Sequence, residues 1–359
     1  MKIFSRYLIR NIFIGFAAAA GLLIPLFTTF NLMNELDDVS PGGYHWTQAV
    51  VVVLMTLPRS LIDLGPFIAL LGGIVGLGQL SKSMELTAIR TTGFSIFRIS
   101  IVALCAGLML TVSLGAIDEW IASSLEQRAL QMKNAAIALD ESNDSVGNIL
   151  WARQGNEFVT VKSLSEDNQP VGVEIFYYRP DRSLESYIYA QKATILDGNI
   201  WVLSGINEKR WVSGKETVET KESLQWKSIF TGMTLKELTM PSSTFSIKQL
   251  NQYITYLQNT DQPSIEFKIA LWQKLGRAIL TLAMILLAIP FTFSVPRSPG
   301  LGSRLAIGVI VGLFTYISYQ IVVNVGLLFS LNAAIVTLTP PSFILAIALV
   351  LVYQFDQRH

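Results

Sequence analysis

Six stretches of about 20 residues, each nearly free of charge, restrict what this chain can fold into: Ile12 to Leu32, Leu61 to Leu80, Ile99 to Ile117, Leu275 to Phe293, Leu305 to Leu327 and Ala333 to Tyr353. A helix of about 20 apolar residues spans the roughly 30 Å hydrocarbon layer of a bilayer and satisfies its own backbone hydrogen bonds there. Composition agrees, since 51% of the 359 residues are hydrophobic and 15% charged, with a mean hydropathy of +0.45. That is too apolar for an ordinary soluble domain. The first stretch is too long for the apolar part of a cleavable signal and has no small-residue cleavage site behind it. It is expected to remain as a helix.

Lys and Arg resist translocation, so their distribution predicts orientation. Lys2, Arg6, Arg10, Lys82, Arg90, Arg98, Arg297, Arg304 and Arg358 fall on one side of the six stretches. On the other side, the loop expected from Asn31 to Arg59 sets Glu35, Asp37 and Asp38 against Arg59 alone. Both termini are therefore expected in the cytoplasm, and the long polar interval between the third and fourth spans outside it. Cys105, the single cysteine, lies within the third span, which leaves the outer domain no disulfide. A net charge of +1 argues against a nucleic-acid partner.

The interval from Asp118 to Lys274 changes character. Alternating apolar runs at Asn148 to Arg153, Glu157 to Lys162, Val171 to Tyr178, Tyr187 to Ala190, Ile200 to Ser204 and Arg210 to Val212 predict strands. Gly155-Asn156, Pro180-Asp181 and Asp197-Gly198-Asn199 separate them as turns. Ile117 to Leu139 predicts a helix that prolongs the third span, and Ser246 to Leu257 a helix opened by a polar cap, with Ser264 a cap for the helix of the fourth span. The expected fold is an α+β membrane protein: helices over residues 1–117, an antiparallel β domain with helical linkers over 118–262, and helices over 263–359.

The residues speak against an enzyme. His45 and His359 are far apart, no Cys cluster or His-Glu pairing has metal-ligand spacing, and no cofactor site is indicated. Gly214-Lys215 is the only Gly-Lys pair, and the positions that a phosphate-cradling loop needs around it hold Lys209 and Glu216. The segment Ser81 to Ser95, between the second and third spans, carries more information. Helix formers are followed by Gly93, and Leu86, Ile89 and Phe94 offer apolar surface beside Glu85 and Arg90. This pattern fits a coupling helix at about 81–93 seated on a separate ATPase. It fits equally an interfacial turn with solvated charges.

The run Glu85-Leu86-Thr87-Ala88-Ile89-Arg90-Thr91-Thr92-Gly93-Phe94-Ser95, with Leu150-Trp151-Ala152-Arg153-Gln154-Gly155-Asn156-Glu157-Phe158-Val159, Pro296-Arg297 and Gly302-Ser303-Arg304, resembles the lipopolysaccharide export permeases LptF and LptG. The likeness extends over essentially the whole chain, and Leu150-Trp151-Ala152 is nearer to LptG. It implies a non-catalytic inner-membrane subunit paired with LptF, bound to two copies of the ATP-hydrolysing LptB, and delivering lipopolysaccharide through periplasmic β-jellyroll domains to LptC and the LptA bridge. Glu85, Leu86, Ile89, Arg90 and Gly93 would then form the ATPase contact.

The resemblance further implies a lipid gate between the first and fifth helices, which maps to Phe30, Asn31, Asn34 and Glu35 and to Tyr316, Tyr319, Gln320 and Asn324. Helix–helix hydrogen bonding accounts for the same polar residues. Lys274 and Arg277 are three apart on one face, suited to lipid A phosphates or to snorkelling. Arg128 and Lys133 fit an acidic sugar core or a solvated linker face. Members of the family commonly carry basic groups where this chain has Glu35, Asp37 and Asp38, which would repel an anionic glycolipid unless divalent cations bridge them. In the β domain alternation groups Phe158 with Val161 or Thr160, Ile175 with Tyr177, and Trp201 with Leu203. Phe158, Ile175 and Trp201 would line an acyl-chain groove, and a closed core would use the same residues. The competing function is a permease of another lipid or lipoprotein-release system, whose outer domain would follow the first span.

Overall fold

The computed structural model of the chain describes residues 2–40, 43–91, 93, 95–140, 150–165, 169–181, 183–196, 200–212, 215–230, 240–259, 262–293, 301–329 and 331–358. The turn expected at Asp197-Gly198-Asn199, as well as Pro296-Arg297, lies outside them. The apolar runs form helices α1 (Lys2–Leu36), α2 (Trp46–Asp63), α3 (Gly65–Lys82), α4 (Glu85–Thr91) and α5 (Ile96–Ile117). Through a π-helical turn at Asp118–Ala122, α5 runs on into α6 (Ser123–Asp140). After the β strands come α7 (Ile247–Asn259), α8 (Ile265–Phe293), α9 (Leu301–Leu328) and α10 (Ala333–Arg358). Among the described residues five helical segments are long and apolar enough to cross a membrane, and α2 with α3 make a sixth span if taken together.

That pair corrects the expected loop from Asn31 to Arg59 and the single helix from Leu61. Helix α2 starts at Trp46, where the His45 amide donates to the Gln48 side chain (2.9 Å), and its apolar run Ala49 to Leu57 continues through Pro58. The chain bends by 63° between α2 and α3. Pro66 sits in the first turn of α3, where a residue without an N–H costs no helical hydrogen bond but stops α2 from continuing.

In the helical unit α1 packs on α3. A stripe of Leu8, Ile12, Phe16, Ala19 and Leu23 faces Ile68, Ile74 and Leu77, the spacing of one helix face. Backbones touch where the two helices cross: a Cβ added to Gly15 would lie 2.1 Å from the Gly72 carbonyl oxygen. Small residues permit such contact without a side chain between the backbones. Met284, Ile285 and Ala288 of α8 and Ala103 and Ala106 of α5 complete the core. Elsewhere the helices expose large apolar groups, including Val112, Ile310, Phe314 and Phe343, as expected of surfaces that meet lipid or another apolar helix rather than water.

The second unit is built on a six-stranded antiparallel sheet in chain order: β1 (Leu150–Gln154), β2 (Glu157–Leu164), β3 (Pro170–Tyr178), β4 (Leu184–Leu196), β5 (Ile200–Val212) and β6 (Lys215–Lys227). The two runs expected at Ile200 to Ser204 and Arg210 to Val212 are one strand, because pairing with β4 and β6 carries the polar stretch between them. Strand β6 escapes sequence reading because its charged, exposed residues suit an edge. Two rows cross the sheet on its buried face: Leu150, Val161, Val173, Ala190 and Ile206, then Ala152, Val159, Ile175, Ile188 and Glu208.

Beyond these rows the alternation changes phase. Gly172, Gln191 and Gly205 lie side by side, Gly172 and Gly205 at φ 67° and 64°, left-handed values that glycine adopts without strain. After this line Ala193, Leu203, Trp201 and Trp226 turn to the same core as the first two rows. Without the phase change the far half of the sheet would present its opposite face.

Glu208 ends the second row with 2% exposure. Burial opposes its ionisation, and bonds from Lys221 Nζ (2.6 Å) and Arg210 overcome that, so its pKa lies below the ordinary carboxylate value. The sign follows: this pairing stabilises the fold above the unfolded pKa and is lost as pH falls through the folded one. Acid titration of thermal unfolding is expected to show a loss below the usual carboxylate range that Glu208→Gln abolishes. Trp201→Ala is expected to destabilise the sheet by about 3–5 kcal/mol, whereas Trp151→Ala, at an exposed position, should stay within about 0.5 kcal/mol. Hydrogen exchange of the strand amides in detergent reads both.

Candidate functional site

Between α3 and α5 the chain makes two left-handed turns, Met84 at φ 62° and Gly93 at φ 89°, which set off the short helix α4 from its neighbours. Seven residues have little helical stability of their own, so packing must hold them. Leu86 and Ile89 are buried to 2% and 5% exposure, Leu86 in the main helical core. Glu85 is half-buried at the start of α4 and accepts a hydrogen bond from the Tyr7 hydroxyl of α1 at 2.7 Å. Phe4, Tyr7, Glu85, Ala88 and Ile89 line a depression of about 250 Å³. The structure places Glu85, Leu86 and Ile89 on α4 and sets Tyr7 of α1 beside Glu85. No local signal points to Tyr7, because it lies 78 residues from its partner. The Arg90 side chain, Thr92 and Phe94 lie outside what the structure describes.

At the far end of α1 one basic residue named from the sequence, Lys133, is joined to acids of the same chain. Lys133 Nζ lies 2.7 Å from both Glu35 and Asp38, and Tyr44 donates to Glu35 at 2.9 Å. One lysine thus offsets part of the negative charge that Glu35 and Asp38 place there. Desolvation, with the Glu35 hydrogen bond behind it, raises the Tyr44 pKa and keeps its proton on the donor. Asn31, Asn34, Glu35, Thr56 and Lys133 line a neighbouring cavity of about 200 Å³, and Asn31 donates to Ser60 at 3.2 Å. Phe30 and Arg128 are exposed.

A second, more deeply buried charge network ties α2, the π turn, α6 and α8. Asp118, on the π turn, accepts from Arg59 at 3.2 Å and from Lys274 on its other oxygen. Side-chain exposures of 7%, 11% and 4% leave these three groups almost no water. Arg59 also approaches Glu126 (3.8 Å) and Asp63 (3.5 Å), and Arg277 pairs with Asp63 at 3.0 Å. Lys274 and Arg277 are therefore both engaged, with Lys274 inside the protein and Arg277 nearer its surface. Asp118, Asp63 and Arg59 were not among the candidate site residues of the sequence reading, and π turns often mark function.

Along α9 the expected polar residues diverge. Gln320 donates to the Tyr316 hydroxyl at 3.0 Å on an outer face, with the Tyr316 ring beside Phe67. Tyr319 is buried, and its hydroxyl lies where a Cβ on Gly276 would come within 3.3 Å. In the sheet, Ile175 and Trp201 belong to one buried face, with Trp201 stacked on Phe230 at a centroid distance of 5.5 Å. Phe158 does not share it. Val159 and Val161 take the inner positions of β2, and Phe158 packs on the opposite face against Tyr178 at 5.3 Å. Alternation groups residues into two faces but does not say which face is buried. Among the described residues no group of three or more His, Cys, Asp or Glu is placed to hold a metal ion.

Long apolar helices with a broken second span, a short helix held against the start of α1, and an antiparallel sheet inserted after the third span define a multi-pass membrane protein with an inserted β domain. The chain belongs to the lipopolysaccharide export system permease family LptF/LptG, whose family model matches residues 6–354. It is 27% identical over 353 residues, 97% of both chains, to the lipopolysaccharide export system permease protein LptG of Escherichia coli K12. To LptG of Haemophilus influenzae Rd it is 27% identical over 337 residues, 94% of both chains.

Asp118→Asn leaves Arg59 and Lys274 buried without their shared counter-charge, which is expected to cost about 3–5 kcal/mol. Asp63→Asn removes a half-exposed partner and should cost about 0–1 kcal/mol. Thermal unfolding of the purified full-length protein distinguishes them, and equal losses would show that Asp118 is not the centre of the network.

Proposed function

We propose that this chain is the LptG-type permease subunit of an ATP-driven transporter that takes lipopolysaccharide from the inner membrane and hands it to a periplasmic bridge. The observation that carries the reading is the family match over nearly the whole chain, spanning both the helical unit and the inserted sheet. Both termini and α4 lie in the cytoplasm and the sheet in the periplasm, as the Lys and Arg distribution supports. A separate LptB dimer binds and hydrolyses ATP, LptF completes the permease, and LptC with LptA receives the lipid.

In this scheme α4 is the coupling helix. Leu86 and Ile89 anchor it in the permease, and Glu85 and Arg90 meet the ATPase. Lipid enters beside α1 and α9, past Phe30, Asn31, Asn34, Tyr316, Tyr319 and Gln320, with Arg128 as an exposed cation for acidic sugar. Contact of Lys133, Lys274 or Arg277 with phosphate requires each to exchange a carboxylate partner for the ligand, since their charges are balanced within the chain. In the sheet the acyl path follows the face of Ile175 and Trp201, which is packed shut and must open to admit lipid.

Glu85→Ala is expected to lower the yield of the permease–ATPase assembly and the lipid released per ATP; normal values of both would remove Glu85 from the coupling contact. A photocrosslinking residue at Ile175 or Trp201, in vesicles holding the whole transporter, is expected to give ATP-dependent lipopolysaccharide adducts. The same residue at Phe158 should give none. Adducts of equal yield at all three positions would mean that lipid does not follow the inner face.

A further inference from the structure

We infer that Tyr7 is a positioning residue for the coupling contact: its hydroxyl holds the Glu85 carboxylate in place and joins α4 directly to α1. The inference rests on the reading of α4 as the helix that meets the ATPase. Among the described residues, the Tyr7 hydroxyl is the one hydrogen-bond donor to the Glu85 carboxylate, at 2.7 Å to Oε2. A glutamate side chain has several rotatable bonds, and ordering it on binding costs conformational entropy. A donor that orders it beforehand removes that cost from the binding step. Tyr7 occupies only Oε2, so Oε1 is left to accept from a partner.

The surroundings show why Tyr7, rather than α4 itself, must supply the ordering. Helix α4 has seven residues between two left-handed turns, and its buried residues Leu86 and Ile89 fix its depth. Apolar packing is non-directional, so it does not choose the direction of a carboxylate at the first position of the helix. The bond from Tyr7 does, and it comes from a helix that continues without interruption to Leu36. From Tyr7 to Asn31 that helix, with Pro25 in its interior, rises roughly 36 Å at about 1.5 Å per residue. A shift of Glu85 when the ATPase moves is passed by this bond to the same helix that carries Asn31 and Glu35.

The test uses the full transporter with Tyr7→Phe, Glu85→Gln and the double variant. Affinity of the ATPase for the membrane subunits and lipid released per ATP in proteoliposomes are measured for each. Tyr7→Phe keeps the ring in its depression and removes only the hydroxyl. It is expected to weaken ATPase association about three- to tenfold, the range for a partly exposed hydrogen bond to a charged group. The double variant should match Glu85→Gln alone, because Tyr7 acts through the carboxylate. Normal association with Tyr7→Phe while Glu85→Gln is impaired overturns the role of Tyr7 and leaves the coupling reading standing. Additive losses also overturn it, since Tyr7 would then act by packing. An unimpaired Glu85→Gln overturns the coupling reading and the present inference with it.

Discussion

Asp118 is the group around which the helical unit is arranged. A carboxylate with almost no access to water is tolerable only when paired and hydrogen-bonded, and this one binds a cation from α2 and another from α8. The π turn places it there. Its extra backbone residue shifts the side-chain phase between α5 and α6, and Ser123 Oγ donates to the Asp118 carbonyl at 3.0 Å within the same turn. A neighbouring acid of the turn, Glu119, accepts from the backbone N–H of Ile247 at 2.9 Å, at the start of α7. One short irregular segment thus joins α2, α6 and α8 within the helical unit.

Charge in this chain is largely balanced internally. Lys133 is neutralised by Glu35 and Asp38, Lys274 by Asp118, and Arg277 by Asp63. The pairs of Asp118, the deeply buried ones, add little net stability but fix geometry, since losing one partner strands the other. Of the basic residues considered for lipid contact, Lys133, Lys274 and Arg277 are thus paired with acids, whereas Arg128 is exposed.

The spans were legible because 20 apolar residues leave little choice. The bend was less so: Pro58 and Arg59 look like a boundary in sequence, yet α2 runs through both, its hydrogen bonds continuing to the Leu64 amide. The charge network was not legible, since Arg59, Asp118 and Lys274 come from three distant segments and nothing local to any of them names its partners. Tyr7 was hidden for the same reason. In the sheet, alternation grouped residues correctly within each strand but left Phe158 on the wrong face, because Phe158 and Val159 are both apolar and only packing decides between them. Gly172 and Gly205 were the available signal for a change of phase, since a glycine inside a strand often marks such an irregularity.

That change of phase makes the buried face of the sheet a property of neighbouring strands acting together. Gly172 and Gly205 flank Gln191 in one line, so β3, β4 and β5 exchange inside for outside at the same height. A side chain forced onto one glycine would put a single strand out of step with the other two, and its apolar residues would meet their polar ones. The lining of the sheet can therefore drift residue by residue in evolution, while the line of glycines can be altered only as a set.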